Sequence, residues 1–418
     1  VPPRRPASTA LAATAVALAA TAAFAFVPGT ATTAIATTSG PVATSADAGV
    51  HQAGTWGTAT DRTTLKLVDQ TVRNVIHTSI GGSGLRISLT NALGSAPVTF
   101  DSVWVGRAWQ GASVVQGTNR QLTFSASTSV TVPMGAEVLS DPLPGDVPEQ
   151  STLAVSLHVV GDAGTVSGHR LAHQTSWIST TGDFAADEWG ATFTTPTTSS
   201  AWVESAGVEV PHQVGTVVAL GDSITDGDRS TAGANRRWPD VLARHLLAQP
   251  AAQQLGVMNA GISGNRVLAD GSGVSAQARF DRDVLAQPDV RTAIVLEGVN
   301  DLRGGLATEP DDLIVAYRQL IARAHARGVC VVGGTITPWQ GGGRWSSSRE
   351  AIRGQVNEWI RSSGEFDGVV DFDAAVRDPQ HPARMLPAYD SGDHLHPGDA
   401  GYEAMGNAVP LTALDCRR

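Results

Sequence analysis

Four short stretches of this 418-residue chain hold residues able to do chemistry. The first is Gly221-Asp222-Ser223-Ile224-Thr225-Asp226-Gly227. A Ser just past an apolar run and framed by Gly can stand on a sharp strand-to-helix turn as a nucleophile. The N–H groups of the helix start then suit an oxyanion. Alone, the block reads equally well as an ordinary capped turn. The last stretch is Asp393-His394-Leu395-His396-Pro397. A hydroxyl nucleophile needs a base, and His is the usual one near neutral pH. Asp393 precedes His396 by three residues, so one loop can supply the base and the carboxylate that orients it. Pro397 biases His396 toward extended backbone. His394 has the wrong spacing and reads as a wall or surface residue. Two alternatives attach to this loop: incidental histidines in solvent, or a metal site of Asp390, Asp393, His394, His396 and Asp399. No H-E-x-x-H pair accompanies it, and no metal is expected.

The two middle stretches supply donors. Asn259-Ala260-Gly261-Ile262-Ser263-Gly264-Asn265 and Gly298-Val299-Asn300-Asp301 each follow an apolar run. Gly264 lets a backbone N–H come close to a substrate oxygen, and Asn300 offers a side-chain N–H. With the Ser223 N–H they make a three-donor oxyanion hole: Ser223, Gly264 and Asn300. Losing one such donor raises a barrier by about 2.7–4 kcal/mol.

The elements that must position these loops fall into two halves with different periods. Over 51–210 the pattern is strand-like. Leu85, Ile87 and Leu89 alternate with Arg86, Ser88 and Thr90; Leu153, Val155, Leu157 and Val159 alternate with Ala154, Ser156 and His158; Val130 and Val132 flank Thr131. Period-2 alternation sends one set to a core and the other to solvent. Gly81-Gly82-Ser83-Gly84 reads as a hairpin loop. An all-β sandwich or jelly-roll-like accessory domain is expected. Over 211–418, apolar runs near 217–220, 256–260, 292–296, 329–332 and 369–372 alternate with helical stretches near 237–248, 311–327 and 347–362. Such runs are buried on both faces of a parallel sheet, so an α/β, flavodoxin-like doubly wound domain is expected, with its site beyond the strands' carboxyl ends.

Composition narrows the function classes. With 29 Lys and Arg against 39 Asp and Glu, the net charge of −10 argues against nucleic-acid binding. Residues 1–50 begin with Arg4 and Arg5, continue through an Ala-rich apolar stretch to Val27, and end in a Thr/Ala/Ser-rich leader. That is the plan of a secretory signal and linker. It predicts a secreted, extracellular protein with no integral membrane span in its mature form; a membrane anchor is the alternative. The two cysteines, Cys330 and Cys416, are too few for a disulfide framework. Cys330 reads as a small buried hydrophobe, although export permits a bridge.

Gly221-Asp222-Ser223-Ile224, then Gly264, then Gly298-Val299-Asn300-Asp301, then Asp393-His394-Leu395-His396 together resemble the four signature blocks of the SGNH/GDSL hydrolase family. The resemblance covers about half the chain. It implies Ser223 as nucleophile, Gly264 and Asn300 as oxyanion donors, and Asp393 with His396 completing a triad, without cofactor. Ile224 stands where the family name has Leu. Glu297 stands where many members carry a small residue, and either tunes the local field or points outward. A β domain ahead of the hydrolase resembles a secreted actinobacterial two-domain branch compared with xylan-linked acylesterases; segments 72–94 and 343–378 carry that finer likeness.

The implied activity is serine esterase chemistry on a carboxylic ester, with acylated polysaccharide or oligosaccharide as the expected substrate. A lipase or arylesterase, or a non-catalytic carbohydrate-binding protein, are the alternatives. Trp339 and Trp345 flank Gly341-Gly342-Gly343 and are candidate substrate-binding faces, or else packing at the domain rim. Trp104, Trp109 and Trp177 are candidates for a glycan groove on the β domain, or for core anchors.

Overall fold

The apolar runs of the C-terminal half become five parallel strands: β1 (Gly215–Gly221), β2 (Leu255–Gly261), β3 (Val290–Leu296), β4 (Cys330–Gly334) and β5 (Gly368–Val370). The computed structural model describes residues 49–414. The signal reading of the first residues and Cys416 therefore lie outside the described residues. Every residue of β1 is buried, as continuous apolar strands covered on both faces must be. The helices are α1 (Ser223–Asp226), α2 (Trp238–Leu247), α3 (Ala276–Phe280), α4 (Val299–Gly304), α5 (Pro310–His325), α6 (Ser347–Ser362), α7 (Phe372–Val376) and α8 (Asp399–Asn407).

Strand order is β2-β1-β3-β4-β5. The chain reverses direction across the sheet between β1 and β3, and ligands bind outside the carboxyl ends at such a switch point. The loops leaving β1 and β3 there carry Ser223 and Asn300. The doubly wound expectation holds.

Ahead of it lie three antiparallel sheets, of five, seven and three strands; one apolar core there includes Val72, Ile76, Phe100, Val155, Leu157 and Trp202. Leu85, Ile87 and Leu89 point into it, as alternation requires. Two details differ from expectation. Ala154, Ser156 and His158 are buried, not solvated. Ser156 Oγ accepts from Arg73 Nε at 2.8 Å, and His158 Nδ1 lies 2.7 Å from Asp101 Oδ1, so polar partners cover that face. Gly82–Thr90 is itself a strand, and of its first glycines only Gly84 has positive φ, at a register shift. Gly82 serves close approach: a Cβ there would meet the Glu209 carbonyl at 2.6 Å.

The described residues form one compact unit. Its seam is glycine-flat. Gly54 N donates to Thr216 Oγ1 at 2.8 Å, Thr58 bridges to Asn259, and Cβ atoms at Gly54 or Gly57 would strike Met258. Trp339, expected as an exposed aromatic face, is instead fully buried, its indole N–H without a partner among the described residues. It packs in the core of the α/β region and presents nothing to a ligand. Trp345 is half-buried against the same core. No cysteine among the described residues is free, so Cys330 is more than a plain buried hydrophobe. Among the described residues no helix is long and apolar enough to cross a membrane.

Candidate active site

Ser223 owes its place to short-range constraints. Gly221 closes against α1: a Cβ there would meet Thr225 Oγ1 at 2.0 Å. Asp222 caps the helix, its carboxylate accepting the Ile224 N–H at 2.9 Å. Gly227, at φ 101°, ends it after four residues. Ser223 thus opens a one-turn helix at the sheet's carboxyl edge, and the residue is 5% exposed.

The distant loop meets it there. Ser223 Oγ lies 2.8 Å from His396 Nε2, and His396 Nδ1 lies 2.7 Å from Asp393 Oδ2. A carboxylate can only accept, so Nδ1 carries the proton and Nε2 is left to accept from the hydroxyl. Asp393 Oδ1 is held by the backbone N–H groups of Leu395 and His396 at 3.0 and 2.8 Å. Partial burial works against the Asp393 charge, but the hydrogen bonds from His396 outweigh it and hold the carboxyl far below its usual range. Arg229 Nε adds a contact at 3.2 Å.

Asn300 links the loops that carry the other two donors, reaching Asp222 beside Ser223 and Asn265 beside Gly264. Neither the Ser223 N–H nor the Gly264 N–H has an acceptor among the described residues. Gly264 sits at φ 81°, a conformation that favours glycine. Asn300 Nδ2 donates to the Asn265 carbonyl at 3.0 Å, and its other hydrogen has only Asp222 Oδ2, at 3.4 Å. Arg303 Nη1 donates to Asn300 Oδ1 at 3.2 Å and so sets which way the amide faces. Burial pushes the Asp222 carboxyl up to about 7. Glu297 does not point outward. It is buried beside Asp222, and burial with that neighbouring charge raises its pKa well above the ordinary value.

The other residues of the last loop turn away. His394, at φ 60°, pairs with Asp390 at 2.5 Å. Asp399 is held by Thr231 and Arg236. These carboxylates and imidazoles are committed to separate partners and do not converge on one point.

Two supports had no local signature. Buried Arg279 donates to the Gly221 and Ala260 carbonyls at 3.0 and 2.7 Å and lies 3.5 Å from Glu297, tying the ends of β1, β2 and β3 together. The second comes from the β domain. His169 Nε2 lies 2.9 Å from Asp226 Oδ1 at the end of α1. The other oxygen of Asp226 accepts from Ser263 N and Oγ at 2.9 and 2.8 Å, just before Gly264. A β-domain histidine therefore braces the loop that carries an open N–H.

Burial opposes a charged imidazole at 169, but Asp226's charge and hydrogen bond outweigh it and raise the His169 pKa, while Asp226, despite its burial, is lowered by His169. The raised histidine stabilises the fold fully below its ordinary value near 6.5, and that contribution fades as pH climbs through the raised value. The lowered aspartate contributes above its ordinary value near 3.9, and that part is lost as pH falls through the lowered value. Wild type should exceed His169→Asn in urea midpoint most clearly near pH 5, with the gap narrowing by pH 9. An equal gap at both pH values would remove the ion pair.

Compared with known proteins, residues 219–404 match the family described as GDSL-like lipase/acylhydrolase. No curated protein matches the chain significantly. Among solved structures, the chain is similar to an acetylxylan esterase from Geobacillus stearothermophilus, at 22% identity over 49% of this chain and 97% of that one, TM-score 0.37. An alpha/beta hydrolase enzyme from the metagenome of Lake Arreo, Spain, is similar at 23% identity over 49% and 96%, also with TM-score 0.37.

Proposed function

Through residues 219–404 this chain belongs to the GDSL-like lipase/acylhydrolase family and is a carboxylic ester hydrolase; from that premise we propose that Ser223, His396 and Asp393 carry the reaction on an acylated carbohydrate outside the cell. One observation supports the mechanism most directly. The hydrogen-bonded run from Asp393 through His396 ends on Ser223 Oγ, and the backbone N–H of Ser223, like that of Gly264, has no acceptor among the described residues.

His396 Nε2 takes the hydroxyl proton as Oγ bonds to the ester carbonyl carbon. The carbonyl oxygen becomes an oxyanion, held by the N–H groups of Ser223 and Gly264 and by the Asn300 amide. As the carbon–alkoxy bond breaks, His396 gives that proton to the leaving alcohol. Water then attacks the acyl-enzyme as His396 takes its proton, and as the acyl carbon–Oγ bond breaks His396 returns that proton to Oγ, regenerating Ser223 and releasing the acid.

The carbohydrate part rests on composition, ten Trp against three Tyr, and export on the leader-like first residues. The test is acid release from acetylated oligosaccharides and from aryl esters of graded chain length. Turnover should be highest on the acetylated sugars and fall as the acyl chain lengthens. A rise with chain length would make the protein a lipase, and sugar binding without acid release would make it a binding protein.

A further inference from the structure

The β domain carries two exposed indoles. Trp109 is 66% exposed and Trp189 is 82% exposed, in a molecule whose Trp202, Trp238 and Trp339 are fully buried. They flank a groove of about 620 Å³ that also includes Val115, Gln116, Asp187 and Glu188. That volume is within the range of small-molecule sites. Of the three tryptophans the sequence suggested for a glycan groove, only Trp109 lines it. Trp104 and Trp177 are half-buried within strands, and the second lining indole is Trp189.

The segments bearing the two indoles are held rigidly. Val114 N donates to the Glu188 carbonyl at 2.8 Å, and Gly190 N to Ser113 Oγ at 3.1 Å. Beneath them lies Arg73, fully buried, with a guanidinium that donates to the Ala112 carbonyl from one side and the Asp187 carbonyl from the other. The guanidinium also lies 3.9 Å over the Phe193 ring. A buried cation is expensive unless fully hydrogen-bonded. Here its donors clamp both indole-bearing segments, so the groove is preorganised in the free protein.

The lining selects the ligand. It contains no Lys or Arg, and its charges are carboxylates, so anions are disfavoured. Glu188 Oε1 is occupied by the Gly117 N–H, whereas Gln116 and Asp187 face solvent with polar atoms free of side-chain hydrogen bonds among the described residues. Apolar flat faces beside acceptors for hydroxyl groups match pyranose rings. We propose that Trp109 and Trp189 form a binding site for a neutral oligosaccharide on the β domain, apart from the Ser223 site. It stands whether or not the catalytic substrate is a sugar.

Titrate the full chain with xylohexaose, cellohexaose and mannohexaose, reading intrinsic fluorescence and calorimetric heat. Run sedimentation velocity alongside. At least one hexaose should bind saturably and quench indole emission. Trp109→Ala and Trp189→Ala should each weaken binding by roughly tenfold or more, with circular dichroism unchanged. Three outcomes overturn the site: no hexaose binds, both variants bind as wild type does, or the variants instead convert a wild-type dimer to monomer, which would make the groove a self-association surface.

Discussion

Ser223→Ala lowers kcat on an aryl acetate by roughly 10⁴- to 10⁶-fold while leaving KM within a few-fold. The size follows from the geometry. Oγ is the atom within 2.8 Å of His396 Nε2, and no second hydroxyl or thiol shares that contact among the described hydrogen bonds. Removing it leaves the open N–H groups of Ser223 and Gly264, because alanine keeps the backbone amide. Residual rate above water is therefore expected from the oxyanion donors and binding alone. KM hardly moves because Oγ bonds to substrate only as the transition state forms. Burst kinetics on a nitrophenyl ester give the check: wild type should show an acyl-enzyme burst and the variant none. Turnover within tenfold of wild type would mean that another nucleophile does the work.

Asp393→Asn, nearly isosteric, should cost about 10⁴-fold in kcat, comparable to the loss seen when a triad carboxylate is made an amide. The orientation of the new amide is not free. The Leu395 and His396 N–H groups both donate to Oδ1, so the amide oxygen must stay there. Its NH2 then faces His396 Nδ1. That nitrogen becomes an acceptor, the proton moves to Nε2, and Nε2 can no longer take the Ser223 proton. Asp393→Ala lacks this inverted donor and should be the less damaged at alkaline pH. The depressed Asp393 pKa adds a second expectation. The carboxylate stays charged through the mildly acidic range, so loss of wild-type activity on acidification does not come from protonation of this residue. Equal rates for Asp393→Asn and wild type would remove Asp393 from the site.

The four loops were readable in the chain because each rests on short-range rules. A Gly that admits positive φ, an Asp that caps a helix, and an Asp–His spacing of three all act within one turn or loop. The parallel strands were readable for a related reason: burial on both faces leaves an uninterrupted apolar run, and the predicted runs lie within three residues of β1–β5. Where local pattern met long-range packing, the reading failed. Trp339 sits between Gly-rich residues that look like an exposed loop, yet the core closes over it. Ala154, Ser156 and His158 alternate like a solvated face, yet polar partners cover them.

The amino-acid order by itself therefore determined the strand and loop grammar, the family resemblance, and which residue types could serve as nucleophile, base and donor. Only the tertiary structure decided that His169 reaches Asp226 across the seam, that Arg279 ties three strand ends together, and that Trp109 and Trp189 share a groove. Those contacts join residues about twenty to eighty positions apart. Their energies depend on mutual burial and hydrogen-bond geometry, which no window along the chain contains.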